Sequence, residues 1–229
     1  MFKELIEALG RRPLLKQIWA EMEEMLGDAI DMYRPIADVL AGRQKLTQET
    51  HDAIYKTDRR INHLQRKIRK QLVEHLSMSP GTDVPISLVL MSIVKDAERL
   101  GDMCKNLLEV AEAMKTPVGQ GPYGERVTQL LAAAERLFEP TASSILSSDR
   151  DMASETMTDG RELASECNKM IDDLLEDDLT CRDAVLLTLT ARYLKRVSLH
   201  LSNIASSVVM PLPWLDYLDE EEEPRGTEA

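Results

Sequence analysis

Residues 86–111 read ISLVLMSIVKDAERLGDMCKNLLEVA, from Ile86 to Ala111. Within them Leu90, Val94, Ala97, Gly101, Cys104, Leu108 and Ala111 recur at steps of three and four, the spacing that gathers side chains on one face of an α-helix. The preceding stretch does the same with Ile54, Thr57, Ile61, Leu64, Ile68, Gln71/Leu72 and His75/Leu76. Proline and glycine mark where such helices end: Pro80, Gly81 and Pro85; then Pro117, Gly119, Gly121, Pro122 and Gly124; then Pro211 and Pro213. The proline-free stretches 36–79, 86–116 and 141–210 are rich in Leu, Ala, Met, Glu, Lys and Arg, which favour helix. No sustained period-two alternation appears, so the chain reads as all-α. The spacing predicts helices near 14–42, 46–77, 85–115, 124–147, 150–177 and 181–210, with Pro35 kinking or splitting the first.

The 229 residues carry a formal net charge of −12, unevenly placed. Residues 216–229 hold seven acids and one base, a balance of −6, and the first 215 residues hold 33 acids and 27 bases, also −6. This acidity, without a long basic block, argues against nucleic acid and against an anionic membrane surface as partners. Cys104, Cys167 and Cys181 form no Cys-x-x-Cys pair, and an odd, scattered count fits reduced thiols in the cytoplasm. The longest apolar run, Ile86 to Val94, is too short to span a bilayer, and the N-terminus lacks the apolar core of a signal peptide.

The Gly/Pro segment at 117–124 divides three expected helices from three. At an offset of 97, Ala97 falls on Leu194, Arg99 on Arg196, Gly101 on Ser198, Cys104 on Leu201, Asn106 on Asn203 and Ala111 on Val208. At an offset of 103, Ile54 falls on Met157, Leu64 on Cys167, Ile68 on Ile171 and Leu72 on Leu175. The expected fold is therefore a six-helix bundle built from two tandem three-helix repeats. Residues 1–116 would form the first repeat with an N-terminal extension, 117–124 the linker, 125–210 the second repeat, and 211–229 an acidic, disordered tail.

Glu98 and Asp102 stand one helical turn apart, and Asp58 and Asn62 repeat that spacing on the neighbouring helix. Each follows a core-stripe residue, so all four flank the seam by about 100°. An antiparallel pairing of the two helices would bring three carboxylates and an amide oxygen together, an all-oxygen set suited to Mg²⁺, Mn²⁺ or iron rather than a closed structural zinc site. Acids at this spacing are more often a solvated face paired with Arg or Lys. Gly101 weighs against that bland account, since a mid-helix glycine costs about 1 kcal/mol relative to alanine and marks a close approach of helices.

The run Ala97-Glu98-Arg99-Leu100-Gly101-Asp102, followed by Asn106, resembles the Glu-Arg-Ile-Gly-Asp signature of the PhoU family, and Asp58-Arg59-Arg60-Ile61-Asn62 resembles that family's Asp-x-x-Ile-Asp signature. The resemblance extends over roughly residues 15 to 210. It implies a cytoplasmic, non-catalytic regulator of phosphate uptake and phosphate signalling, often a homodimer, whose partner is a phosphate transporter component or a sensor kinase. It also implies metal ligation (Fe, Mn, Mg or Zn) by Asp58, Asn62, Glu98 and Asp102. Asn62 departs from the usual acid. The second repeat departs further, with Arg161, Ser165, Lys195 and Leu199 at the matching positions, leaving any metal site single.

Two other readings compete. A metal-dependent all-α nucleotide phosphohydrolase would use acids such as Glu21, Glu23, Glu24 and Asp28, but no Lys or Arg phosphate clamp stands beside them in the sequence. A ligand-free structural bundle is the third. His51, His63, His75 and His200 belong to no Glu-x-x-His of a ferritin-type di-iron centre, and neither His-Glu-x-x-His nor a phosphate-binding glycine loop occurs.

Overall fold

The computed structural model describes residues 13–78, 81 and 83–215. Among them run six α-helices and no strand: α1 Pro13–Leu40, α2 Gln48–Met78, α3 Val84–Ala113, α4 Gly124–Ser147, α5 Arg150–Leu175 and α6 Cys181–Val209. Single 3-10 turns occupy Val118–Gln120 and Leu212–Trp214. The all-α expectation holds.

Pro35 does not split α1. The helix runs past it to Leu40, because Ile36, Ala37, Val39 and Leu40 beyond the proline are all buried. That burial offsets the one hydrogen bond lost at Asp31, whose carbonyl has no proline N–H to accept from and which lies on the exposed side.

Local chemistry sets the other ends. Helix α4 closes on Ser148 in the left-handed region (φ 54°), with the Asp149 N–H donating to the Ser144 carbonyl at 2.9 Å. Asp149 then caps α5, its carboxylate accepting from the backbone N–H groups of Asp151 and Met152 at 3.0 Å each. Thr180 caps α6 by accepting from the Asp183 N–H at 3.2 Å.

Helices α1, α2 and α3 pack on one another, as do α4, α5 and α6, and α3 against α6 and α1 against α4 join the two units. The apolar faces merge into one core. Tyr33 of α1 lies at its centre, its hydroxyl donating to the Leu131 carbonyl of α4 at 2.8 Å and its ring 5.4 Å from that of Phe138. Met22, Met25 and Met32 are core residues of α1.

Every residue of the α3 stripe is buried, and so are Leu194, Ser198, Leu201 and Val208, the α6 partners of Ala97, Gly101, Cys104 and Ala111. The burial patterns of α3 and α6 thus match at the offset of 97. The offset of 103 holds only as far as Cys167 of α5. Met157 and Cys167 are buried like Ile54 and Leu64, but Leu175 is 77% exposed where Leu72 is fully buried. The buried positions late in α5 are Met170 and Leu174, one residue earlier than expected. Cys167, Met170 and Leu174 step by three and four, whereas Leu64, Ile68 and Leu72 step by four and four, so the two faces drift apart.

The N-terminal extension before Pro13 and the acidic tail from Asp216 onward lie outside the described residues. Of the segment that follows α6, Leu215 is buried and Leu212 packs against the core, while Trp214 is exposed.

Cys104 and Cys167 are buried and Cys181 is exposed. Burial pushes the Cys167 thiol up to about 12, and burial followed by the nearby Asp58 charge pushes Cys104 higher. Thiol–disulfide chemistry runs through the thiolate. Ellman's reagent is therefore expected to modify one thiol, Cys181, in the native protein and all three in guanidinium chloride. Rapid native modification of more than one would contradict this burial.

Candidate functional site

Helices α2 and α3 form an antiparallel hairpin pinned at three levels. At the turn His75 Nε2 lies 2.8 Å from Asp83 Oδ2, and at the open end His51 Nε2 lies 3.2 Å from Glu112 Oε1. Midway, Gly101 of α3 faces α2 so closely that an added Cβ would sit 3.3 Å from Ile61 Cδ1 and 3.6 Å from Asp58 Oδ1. The glycine marks a close helix approach, as its position in the sequence suggests.

That approach brings Asp58 and Asp102 together, and between them stands a residue the spacing of acids did not reveal. Lys105 Nζ lies 3.0 Å from Asp58 Oδ1 and 3.0 Å from Asp102 Oδ1. The other Asp58 oxygen accepts from Asn62 Nδ2 at 3.1 Å, and the other Asp102 oxygen accepts from an Arg99 NH at 3.1 Å. Both carboxylates are thus fully engaged. Glu98 stands a turn away from Asp102, its carboxylate 3.8 Å from Arg99 Nε. Asp58 is the deepest of the group at 7% exposure, where Thr57 of the expected stripe is only half-buried. Sequence could show Lys105 three residues from Asp102, an ordinary i,i+3 pair. Its reach to Asp58 depends on the helix crossing.

The electrostatics follow from this layout. Burial works against the charge on Lys105, but the hydrogen bonds it donates to Asp102 and Asp58 outweigh it and hold the pKa above the usual lysine value. Glu98 shifts the other way in stability: burial, then the Asp102 charge, raises its pKa above the ordinary carboxylate value. A carboxyl whose folded pKa is raised contributes stability that is present below its unfolded pKa and is lost as pH rises through the folded value. Glu98→Gln, which mimics the protonated acid, is expected to raise stability slightly at pH 7 and to leave it unchanged near pH 4. Thermal melts at the two pH values check this, and a loss at pH 7 would contradict it.

Tested against a metal ion, these residues fit poorly. The donors that would hold one are Asp58, Asn62, Glu98 and Asp102, but Asn62 turns its amide nitrogen toward Asp58 and an ammonium bridges the two aspartates. Among the described residues no three His, Cys, Asp or Glu side chains are disposed to share one ion. A cation here would have to displace Lys105.

In the second unit the corresponding positions stay apart from one another's chemistry. Arg161 donates from Nε to its own helix at Met157 O (3.3 Å), and Lys195 Nζ donates to Asn168 Oδ1 of α5 at 3.2 Å. Both are locally paired. The position matching Lys105, 97 residues on, is the buried Ser202, and Gly160 of α5 approaches it so closely that a Cβ there would overlap the Ser202 hydroxyl. A groove of about 390 Å³ on this unit, between α4 and α5, carries Arg126 and Arg136 opposite Asp159, Glu162 and Glu166.

Three of the four candidate acids of α1, Glu21, Glu24 and Asp28, are engaged as well, while Glu23 is exposed. Lys67 Nζ lies 2.9 Å from Glu21 Oε1, and Arg60 pairs with both Asp28 and Glu24. A second contact missed from sequence joins the units: His200 Nδ1 of α6 lies 2.8 Å from Oδ1 of Asp96, which is 1% exposed on α3. The two residues are 104 positions apart, and no local pattern links them.

Comparison with known proteins bears on the unit that holds Lys105. Residues 15–111 match the PhoU domain. The matched stretch spans α1, α2 and nearly all of α3, and includes Asp58, Asn62, Glu98, Asp102 and Lys105. More than nine-tenths of the chain is similar in fold to crystal structures of PhoU proteins. One is PhoU from Pseudomonas aeruginosa, with a TM-score of 0.65 and 19% identity over 91% of this chain and 97% of that one. Another is the phosphate transport system regulatory protein PhoU from Streptococcus pneumoniae, with a TM-score of 0.70 and 16% identity over 94% of this chain and 97% of that one. No curated protein matches the sequence. No described helix is long and apolar enough to cross a membrane.

Proposed function

We propose that this chain is a cytoplasmic, non-catalytic regulator of phosphate transport and phosphate-responsive signalling, acting by binding a transporter component or a sensor kinase through its helix faces. The observation that carries the reading is the PhoU domain at residues 15–111, set in a chain that follows PhoU structures over more than nine-tenths of its length. A homodimer is the expected assembly.

The pairing of most candidate acids weighs against the hydrolase reading. A nucleotide–metal complex needs carboxylates with open coordination, but Glu21, Glu24 and Asp28 are paired with Lys67 and Arg60, and Asp58 and Asp102 with Lys105.

Deletion of the gene in its host tests the proposal. Phosphate uptake and expression from phosphate-starvation promoters, both low in phosphate-rich medium, are expected to rise and to return to baseline on complementation. Unchanged uptake and expression would overturn the reading, as would nucleotide turnover by the purified chain that Glu98→Ala abolishes.

A further inference from the structure

Two aspartates brought together on neighbouring helices repel, and the fold must neutralise them or keep one protonated. A bound cation is one solution. The α2–α3 hairpin already contains another, since Lys105 places its ammonium 3.0 Å from an oxygen of each aspartate. Asn62 and Arg99 take the remaining oxygens. Four carboxylate oxygens therefore meet four donor contacts, all from the same domain.

We infer that Lys105 is a tethered replacement for a metal ion, so that the first unit holds α2 against α3 without binding one. The ammonium makes the two contacts to Asp58 and Asp102 that a shared cation would make, at the same place between the helices.

The second unit provides an internal control. Where Asp58, Glu98 and Asp102 give way to Arg161, Lys195 and Leu199, the matching position for Lys105 is Ser202. The lysine is present in the unit that has acids to neutralise and absent from the one that lacks them. Its setting is not that of an ordinary surface lysine: its side chain is 23% exposed, and the Asp58 side chain against it 9%.

This inference stands apart from the regulatory reading, and its test uses the full-length protein with the metal ions alone. Wild-type protein, treated with chelator and then titrated with Mn²⁺, Mg²⁺, Zn²⁺ or ferric citrate, is expected to show a melting midpoint constant to about 1 °C and no stoichiometric metal by elemental analysis. Lys105→Met keeps an unbranched stem of four heavy atoms and removes the ammonium. Its midpoint is expected to fall by about 3–6 °C, and Mn²⁺ at 1 mM to restore about 2 °C or more of the loss as the vacated carboxylates take up the ion. The further change Asp58→Asn in that variant is expected to abolish the restoration. Wild-type protein that retains one equivalent of metal, or whose midpoint rises with Mn²⁺, overturns the inference by itself, whether or not Lys105→Met folds. A Lys105→Met protein as stable as wild type and indifferent to Mn²⁺ overturns it equally. Neither result would touch the phosphate-regulation phenotype, which is read in cells.

Discussion

Tyr33→Ala is expected to destabilise the protein by about 3–5 kcal/mol. Tyr33 is fully buried where α1 meets α4, with its ring against Phe138 and its hydroxyl on the Leu131 carbonyl. Truncation removes a large apolar surface and leaves a cavity between the two units that the rigid helices on either side cannot close. Burial also pushes the phenol pKa well up, so the hydroxyl stays protonated and donates at any pH the fold survives. Tyr33→Phe keeps the ring and deletes only the hydrogen bond, for an expected cost of about 0.5–1.5 kcal/mol. Denaturant unfolding of the two variants separates packing from hydrogen bonding. Equal losses would show that the hydroxyl, not the ring, anchors the interface.

His200→Ala is expected to cost about 3 kcal/mol, the range for breaking a buried polar pair and leaving a carboxylate without its partner. Asp96 is nearly inaccessible, one of its oxygens faces His200, and the other has no hydrogen-bond partner. Adding Asp96→Asn to His200→Ala replaces the stranded charge by a neutral amide and is expected to recover part of the loss. A double-mutant cycle measures the coupling. A coupling near zero would mean that the buried carboxylate is satisfied by something other than the imidazole.

How much of this was legible in the sequence depends on distance along the chain. The three–four stripes and the proline and glycine breaks located all six helices because both act over a few residues. The offset of 97 between α3 and α6 was readable because the whole buried face repeats. The companion offset failed at Leu175, where one three-residue step in α5 moved the face, and periodicity alone does not report such a slip. Gly101 pointed to the helix crossing, and through it to Asp58 meeting Asp102. What fills the space between those carboxylates, and what Asp96 meets on α6, are properties of helices already packed. A lysine and a histidine read singly give no sign of either.

The contact between Gly160 and Ser202 limits what the second unit can hold. To form an acid–lysine bridge, it would need carboxylates at 161 and 199 and a lysine at 202. Position 202 is fully buried, and even a methyl group at 160 would overlap the serine already there. A long side chain at 202 has no room until α5 moves off α6, and that move would open the tightly packed seam they share. The step to a lysine at 202 therefore carries a packing cost that the exposed position 161 and the half-buried position 199 do not. The packing at 202 thus closes to the second unit the bridge that Lys105 makes in the first.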